Sequence, residues 1–201
     1  MGRPKSYNRE DVLQEAMMLF WSRGYHDVST RELTEAMGIN VNSLYSEFGS
    51  KRGLFDAAMA YYNEYLISYY LKALETADAS VDAIRQVVYG YAAYAATPDE
   101  PGRGCLIVNS AVEWAPDPEA SAVNTARFIE RLGGGFRRAL ANSCDASDDE
   151  LEPLANHLVT TVLGIIVLIR AQTPHPVVQQ VAETAIAQLE TRLGALEQAD
   201  K

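Results

Sequence analysis

The sequence predicts an all-α protein in which an N-terminal three-helix helix-turn-helix domain precedes a larger C-terminal helical bundle. Apolar residues recur at spacings of three and four along most of the chain, as in helices with one buried face, and alternating strand patterns are scarce. Serine and asparagine stand where helices would begin, and glycine where they would end. The chain has 201 residues, 48% of them hydrophobic, which is enough for a core of ordinary size.

The first two helices are predicted from their ends. Apolar residues recur at helical spacing from residue 12 to residue 20, and Gly24 ends this pattern. A capping box formed by Ser29 and Glu32 begins the second helix, because the Ser29 hydroxyl and the Glu32 carboxylate can satisfy each other's backbone N–H groups. We expect this helix to turn Leu33 and Ala36 inward.

A glycine turn then leads to a third short helix, and the spacing matches a helix-turn-helix. Gly38 tolerates the left-handed turn, and Asn40 is a suitable N-cap for a helix over Val41–Phe48 that buries Leu44. An ordinary helix hairpin is the alternative for this segment taken alone. The predicted outer face, whose N-terminal end contacts base edges in motifs of this kind, consists of Val41, Asn42, Ser43, Tyr45, Ser46 and Glu47.

Longer helices are predicted in the rest of the chain. A fourth helix, capped by Ser50, is expected to run into the tyrosine-rich stretch 61–70. Further helices are expected over residues 81–96, 105–114, 118–143, 148–172 and 176–196, with a loop rich in proline and glycine at 97–104. The glycine run 133–135 lies inside a helical pattern, where it marks a kink, a close helix crossing or a break.

Charge is unevenly distributed between these two parts. The net charge is -10, but residues 1–55 contain seven basic and seven acidic residues and are neutral overall. Residues 56–201 contain 10 basic and 20 acidic residues. Since DNA binding requires local positive charge, phosphate would repel the acidic part. The asymmetry therefore predicts two parts with different partners.

The order and spacing of the N-terminal motifs resemble those of the tetracycline-repressor (TetR) family of bacterial transcription regulators. The resemblance is specific over residues 9–56, whereas over residues 70–201 it rests on helical pattern and length only. It is carried by Gly2-Arg-Pro-Lys5, Leu19-Phe20-x-x-x-Gly24-Tyr25, Ser29-Thr30-x-x-Leu33, Ala36-Met37-Gly38-Ile39, Ser43-Leu44-Tyr45-x-x-Phe48-Gly49-Ser50-Lys51 and Leu54-Phe55.

The resemblance implies a cytoplasmic homodimer with a DNA-binding domain at residues 1–55 and an effector-binding and dimerisation domain at residues 56–201. Such a protein would be a ligand-responsive regulator, expected here to be a repressor that releases a palindromic double-stranded operator on effector binding or thiol modification. The alternative is a helical small-molecule-binding protein or enzyme whose N-terminal module no longer binds DNA. The effector and the operator sequence are not predicted.

By similarity to the family, the DNA contacts fall into two groups. Hydroxyls and an ammonium group would bind phosphates and so fix the register of the protein on the duplex. The second group would face the major groove, where Asn42 suits adenine and Val41 suits the thymine methyl. Glu47 either accepts from cytosine or is a solvated charge. The residues that would bind phosphates are Thr30, Tyr45 and Lys51, and those that would face the major groove are Val41, Asn42, Ser43 and Ser46. Arg3 and Lys5 form a basic arm that either enters a minor groove or is a disordered tail.

Tyrosines supply the candidate effector site. Eight of the 11 tyrosines lie between residues 61 and 94, and buried tyrosine offers apolar area together with a hydroxyl that needs a partner. A pocket for an aromatic or amphipathic effector uses this mixture, although plain helix packing is the alternative. The candidates are Tyr65, Tyr69, Tyr91 and Tyr94.

Cys105 has two possible roles. It would stand near a helix N-terminus, two residues after Arg103, where the helix dipole and the cation both favour a reactive thiolate. Members of the family that resemble this Gly-Cys-Leu segment sense electrophiles or oxidants through the cysteine. The alternative is a buried small hydrophobic residue. Asn109 and Glu113, at i+4 and i+8, would line the effector site with it.

Other classes of function lack their motifs. Nucleophile, phosphate-loop and metalloprotease patterns are missing, and the three histidines lack metal-ligand spacing, so we expect no enzyme activity, no metal and no cofactor. The longest apolar stretch, residues 162–169, is too short to span a bilayer, so no membrane partner is expected.

The last two helices carry apolar stripes that are wide for one chain, and family dimers join these helices into a four-helix bundle.

Overall fold

The computed structural model describes residues 7–96, 102–113 and 118–199, and within these ranges the chain is all-α, as predicted. The N-terminal helices are α1 (Arg9–Arg23), α2 (Thr30–Met37), α3 (Val41–Phe48) and α4 (Lys51–Leu66). The remaining helices are α5 (Val81–Tyr94), α6 (Leu106–Glu113), α7 (Pro118–Ala141), α8 (Asp148–Arg170) and α9 (His175–Ala199).

The helix ends in the N-terminal domain follow the sequence closely. Ser29 and Glu32 make the predicted capping box of α2, and the Asn40 side chain accepts from the backbone N–H of Ser43 at the start of α3. Gly38 ends α2 in the left-handed conformation, with φ of 63°. Because these caps fix where α2 and α3 begin, the spacing from the cap shows which face of the helix each later residue lies on.

One inward position of α2 was predicted wrongly. Ala36 is exposed, and Met37 is buried instead. Leu33 and Met37 are separated by one helical turn, so they form the stripe that packs into the domain, and Ala36 lies beside it. Leu33 and Leu44 are both fully buried, which fixes α2 and α3 on the rest of the domain.

Helix α4 connects the two halves of the molecule. Its buried residues include Leu54 and Phe55 on one side of the predicted 55/56 domain boundary and Ala58 and Tyr62 on the other. They belong to one continuous hydrophobic cluster. A displacement along α4 would therefore be transmitted between the two domains.

Helix α4 runs into the tyrosine-rich stretch 61–70, as predicted, but the type of helix changes within this stretch. The α-helix ends at Leu66, and a π-helical turn over Ile67–Leu71 and a 3₁₀ turn over Lys72–Leu74 follow. A π turn contains more residues than an α turn and so rotates the following side chains about the helix axis. Tyr69 consequently points outward and is 73% exposed.

The glycine run 133–135 lies within α7 and marks a close helix crossing. A Cβ atom on Gly135 would lie 3.0 Å from the Cβ of Leu74 in the 3₁₀ turn, whereas one on Gly134 would meet open space. The absence of a side chain at Gly135 thus lets the 3₁₀ turn that follows α4 approach α7.

Helices α8 and α9 pack on each other along the C-terminal half of the molecule. By length and composition, α8 alone among the described helices could cross a membrane, with a mean hydropathy of 1.6 over its most apolar window. A core helix of a soluble protein passes the same test, and eight residues of α8, from Leu151 to Ile169, are buried here.

Candidate nucleic-acid interface and effector region

The outer face of α3 has the exposure predicted for a reading surface. Val41 is 46% exposed and Tyr45 is 49% exposed, although both are large apolar or aromatic residues. Asn42 and Ser46 are exposed beside them, and Ser43 is half-buried. Because Leu44 holds the opposite side of this eight-residue helix in the core, the five residues form one continuous surface.

Glu47 is neither a base reader nor a solvated charge. The Tyr7 hydroxyl donates to one carboxylate oxygen at 2.7 Å, and Arg9 Nε donates to the other at 3.0 Å. Only 7% of the Glu47 side chain is exposed. The hydrogen bond to Glu47 is the main reason that the pKa of the Tyr7 hydroxyl is raised, so the hydroxyl remains a donor at neutral pH.

Two of the three candidate phosphate ligands, Thr30 and Lys51, lie at helix N-termini. Thr30 is half-buried at the first position of α2. Lys51, the first residue of α4, donates from Nζ to the Tyr25 carbonyl at 2.5 Å, with Nζ 4.3 Å from the centroid of the Tyr25 ring. Burial lowers the pKa of this ammonium group. Arg3 and Lys5 lie outside the described residues.

A second carboxylate organises the turn between α1 and α2. Arg23 donates to Glu32 at 2.6 Å and to the Asp27 carbonyl at 2.6 Å. Hydrogen bonds from Ser29, followed by the one from Arg23, lower the pKa of Glu32 to about 2. The first turn of α2, which carries Thr30, is thereby tied to the end of α1.

Helix α6 contacts α1 and the loop that follows α1 at both of its ends. Before the helix, the Gly104 carbonyl accepts from Trp21 Nε1 at 3.2 Å, and the Arg103 guanidinium lies 5.6 Å from the centroid of a Trp21 ring. In its last turn, the Glu113 carboxylate accepts from the backbone N–H groups of Tyr25 at 3.0 Å and His26 at 2.7 Å.

Glu113 therefore joins α6 to the loop after α1, and its predicted place in the effector site stays a prediction. Asn109 donates from its side-chain amide to the Arg103 carbonyl at 2.6 Å. Both residues line a cleft of about 490 Å³ between α1, α6 and α8. None of the four predicted tyrosines lines this cleft, but Trp21, whose ring stacks on Tyr94, does.

Ring contacts that run through Trp21 and Tyr70 connect the four predicted effector tyrosines, although their burial differs. Tyr91 is 4% exposed, stacks on Tyr70 at 4.8 Å, and has a buried hydroxyl with no hydrogen-bond partner among the described residues. Tyr94 also has a buried hydroxyl, and its ring stacks on Trp21 at 6.3 Å. Tyr65 is half-buried, and the exposed Tyr69 ring lies 4.8 Å from the Tyr65 ring.

Cys105 is fully buried, in agreement with the interpretation of it as a small core residue. Burial raises the pKa of the thiol, and hydrogen bonds from backbone N–H groups and from Tyr62 offset this only in part. The Arg103 guanidinium, which was expected to favour the thiolate, lies over the Trp21 ring. The thiolate predicted from the dipole and the cation is not favoured in this conformation.

Two residues of the cluster were not predicted. Tyr62 is 1% exposed and Trp21 is 4% exposed, and their rings meet edge to face at 5.0 Å. The sequence contained a signal for Tyr62, because it lies one turn after Ala58 on the buried stripe of α4. The contact of Trp21 with Gly104 had no such signal, since 83 residues separate them.

The chain is similar to known bacterial regulators. A family model described as bacterial regulatory proteins, tetR family, matches residues 12–58. The chain is 33% identical over 116 residues to the HTH-type transcriptional repressor ComR of Escherichia coli (strain K12), a match that covers 58% of this chain and 55% of ComR. It is 31% identical over 175 residues to the uncharacterized HTH-type transcriptional regulator YezE of Bacillus subtilis (strain 168), covering 82% of this chain and 87% of that one.

Solved structures with the same fold include a cysteine mutant of the TetR family transcriptional regulator CifR, complexed with a 26-bp double-strand operator DNA. The identity is 32% and the TM-score is 0.77, over 92% of this chain and 98% of that chain. A TetR transcriptional regulator from Chloroflexus aurantiacus has a TM-score of 0.76 at 21% identity, over 90% and 93% of the two chains. At that identity, the likeness concerns the fold alone.

Proposed function

The chain belongs to the tetR family of bacterial regulatory proteins, and we propose that it is a cytoplasmic repressor that binds operator DNA through α3 and releases it when an effector binds. The observation that carries this proposal is the exposed face of α3 above a fully buried Leu44. A helix that presents Val41, Asn42 and Tyr45 to solvent in this way has the form of a major-groove reader.

The proposed DNA contacts divide into positioning and reading groups. Thr30, Tyr45 and Lys51 would bind phosphates. The Lys51 ammonium could do so because the Tyr25 carbonyl takes only one of its three N–H donors. Asn42 would pair with adenine in the major groove. The remaining proposed contacts are Val41, Ser43 and Ser46 in the major groove, and Arg3 and Lys5 in a minor groove.

A homodimer formed through α8 and α9 would carry two such helices. The exposed side of this helix pair contains an apolar groove lined by residues of both helices, including Leu163, Val167 and Val177. Val167 is 53% exposed and Val177 is 46% exposed. A second copy that covers this face would form a four-helix bundle and place the two α3 helices in successive major grooves, about 34–36 Å apart.

The effector would bind among the tyrosines of the C-terminal domain. The Tyr91 hydroxyl supports this proposal, because a buried hydroxyl without a partner can hydrogen-bond to a polar group on an otherwise apolar ligand. Displacement of α6 would reach α1 through Trp21 and Glu113. The effector must bind the released conformation more tightly than the DNA-bound one, since equal affinity shifts no equilibrium.

Thiol modification of Cys105 is the second candidate signal. The observation that favours it is the contact between the Cys105 thiol and the Tyr62 hydroxyl on α4. Adding a group to a fully buried sulfur would force α4 and α6 apart. A Cys105→Ser variant that responds normally to electrophiles would remove this candidate while leaving the effector pocket in place.

DNA selection tests the proposed function. Duplexes enriched from a random library by the full-length protein should contain a near-palindrome, and footprinting should show protection of two half-sites. Lys51→Ala should weaken binding to all enriched sequences alike, whereas Asn42→Ala should change the preference at particular base pairs. Failure to enrich any duplex would instead support the alternative of a binding protein or enzyme that has lost DNA affinity.

A further inference from the structure

Two successive backbone N–H groups of the loop after α1 bind one carboxylate of α6. Oε2 of Glu113 accepts from the Tyr25 N–H at 3.0 Å, and Oε1 accepts from the His26 N–H at 2.7 Å. Successive N–H groups that converge on an anion form a recognised type of anion site, and hydrogen bonds to a charged acceptor are the stronger kind. Glu113 therefore fastens the end of α6 to this loop.

Gly24 makes room for the Glu113 carboxylate. It follows α1 with φ of 84°, a conformation that residues with a side chain rarely adopt. A Cβ atom on Gly24 would lie 2.8 Å from Glu113 Oε2 and 3.0 Å from Cδ of the same side chain. The loop thus accommodates the carboxylate both through its backbone conformation and through the absence of a side chain at this position.

The same loop holds Lys51. The Tyr25 carbonyl accepts from Lys51 Nζ at 2.5 Å, and Nζ lies 4.3 Å from the centroid of the Tyr25 ring. The peptide group that joins Tyr25 to His26 therefore accepts from Lys51 through its carbonyl and donates to Glu113 through its N–H. Hydrogen bonds on both sides of one group polarise it and strengthen each other. Glu113 and Lys51 are thus linked through a single peptide group.

Charge provides a second connection between the two residues. Burial lowers the pKa of the Lys51 ammonium group, and the negative charge of Glu113 is the largest influence that opposes this shift. The carboxylate therefore favours the charged form of Lys51, which is the form that binds a phosphate.

Helix α6 also connects Glu113 to the buried tyrosines. The helix spans eight residues, Leu106–Glu113, so its two ends are about 12 Å apart. Just before its first residue, the Cys105 thiol contacts the Tyr62 hydroxyl. Because a short hydrogen-bonded helix moves as one unit, a displacement at its start also displaces the carboxylate at its end.

We propose that Glu113 is a positioning residue for DNA binding, which holds the peptide group between Tyr25 and His26 so that the Lys51 ammonium group is presented to a phosphate. Without the carboxylate, the loop would have to be ordered when DNA binds. The inference rests on the proposed function, because the phosphate belongs to the proposed protein–DNA complex. It gives α6 a direct route to a DNA contact, since the carboxylate moves with the helix.

The test is a double-mutant cycle on full-length protein, with a duplex enriched by the wild-type protein as the probe. Glu113→Gln keeps the size of the side chain but turns an NH₂ group toward one of the two N–H groups. We expect it to weaken DNA binding about three- to tenfold when Lys51 is present and less than about twofold in the Lys51→Ala protein. Glu130→Gln, at an exposed residue of α7, removes the same charge and should bind as the wild type does.

Two further measurements distinguish positioning from general electrostatics and from loss of folding. Lys51→Ala should reduce the slope of log affinity against log salt by about one, and Glu113→Gln should reduce it in part although it removes no cation. In the DNA-free protein, the Tyr25 and His26 N–H groups should exchange with solvent at least about tenfold faster in Glu113→Gln. The Gly24 N–H, which donates to the Phe20 carbonyl, should exchange as in the wild type.

Four results would overturn the inference. They are wild-type binding by Lys51→Ala, unchanged or tighter binding by Glu113→Gln, an equal effect of Glu113→Gln with and without Lys51, and unchanged exchange of the Tyr25 and His26 N–H groups. Failure of the wild-type protein to enrich any duplex would refute the proposed function and the inference together. Normal enrichment with any one of the four results would refute the inference alone.

Discussion

Carboxylates of the DNA-binding domain and its interface are hydrogen-bonded to protein donors. Glu32 accepts from Ser29 and Arg23, and Glu47 accepts from Tyr7 and Arg9. Glu113 accepts from two backbone N–H groups of the loop after α1. These acidic residues act as structural acceptors, so the neutral formal charge of residues 1–55 gives an incomplete account of the surface that DNA would meet.

Glu32 should make stability depend on pH in the acid range. Its pKa is lowered from 4.5 to about 2 in the folded state, so its stabilising contribution is complete above about pH 4.5 and is lost as the pH falls through about 2. Glu32→Gln should flatten the fall in unfolding free energy over this window, as measured by urea unfolding at a series of pH values. Ser29→Ala, which removes a donor to the same carboxylate, should reproduce part of the flattening, and an unchanged slope in both variants would contradict the assignment.

Cys105 should react slowly in the native protein. Burial raises the pKa of its thiol and blocks access, whereas Cys144 is half-buried. At pH 7.5, we expect iodoacetamide to label Cys105 at least about tenfold more slowly in the folded than in the urea-unfolded protein, with Cys144 labelled first. Peptide mass spectrometry measures both sites in one sample. Equal labelling of Cys105 in the two states would instead support an accessible sensor thiol.

At the scale of helices, the positions of the side chains that follow α4 depend on how this helix ends. The change from α- to π-helix at Ile67 turns Tyr69 outward, and the 3₁₀ turn brings Leu74 against Gly135 of α7. A regular α-helix through Tyr70 would place these side chains on other faces of the helix. The position of the tyrosine cluster therefore depends on a local change of helix type and a glycine contact.

Neighbouring glycines of α7 provide a matched test of this crossing. Gly134→Ala should raise the unfolding free energy by about 0.5–1 kcal/mol, since alanine favours helix and its Cβ would meet open space. Gly135→Ala gains the same propensity, but its Cβ would lie 3.0 Å from Leu74, so it should be less stable than Gly134→Ala by about 1–3 kcal/mol. Equal denaturation midpoints for the two variants would show that the crossing is loose.

At the scale of the whole molecule, two surfaces connect DNA binding to the rest of the protein. One is the contact of α6 with α1, through Trp21 and Glu113. The other is the uncovered apolar side of α8 and α9. The first can transmit a displacement within one chain, and the second would set the distance between the two chains of the proposed dimer, so the proposed release of a palindromic site would involve both.

A charge placed on this uncovered side tests the dimer. Val177→Asp should convert the protein from dimer to monomer at micromolar concentration, because an unpaired carboxylate would be buried in the interface. Binding to the full palindrome should fall at least about tenfold, since the two half-sites could no longer be bound together. Sedimentation velocity measures the first effect. Ile129→Asp, on α7 and 38% exposed, is the control that should stay dimeric, and a dimeric Val177→Asp protein would place the interface elsewhere.

The helices of the N-terminal domain could be predicted from the sequence because their ends are set by short-range chemistry. Ser29, Gly38 and Asn40 act on backbone groups no more than four residues away, and the exposed face of α3 follows from its cap and its buried Leu44. Ala36 was misplaced by only one position, for the same reason. Tyr62 also lay within reach of this reasoning, since it continues the buried stripe of α4.

The roles of Glu47, Glu113 and Cys105 were decided by the packed chain. The bond from Tyr7 to Glu47 joins residues 40 positions apart, and the one from Tyr25 to Glu113 joins residues 88 positions apart. Which helices meet depends on the sum of many small packing energies over the whole core, and spacing along the chain contains no such distances. Burial of Cys105 likewise depends on how closely α4, α5 and α6 pack, so its local charge environment alone could not decide between its two possible roles.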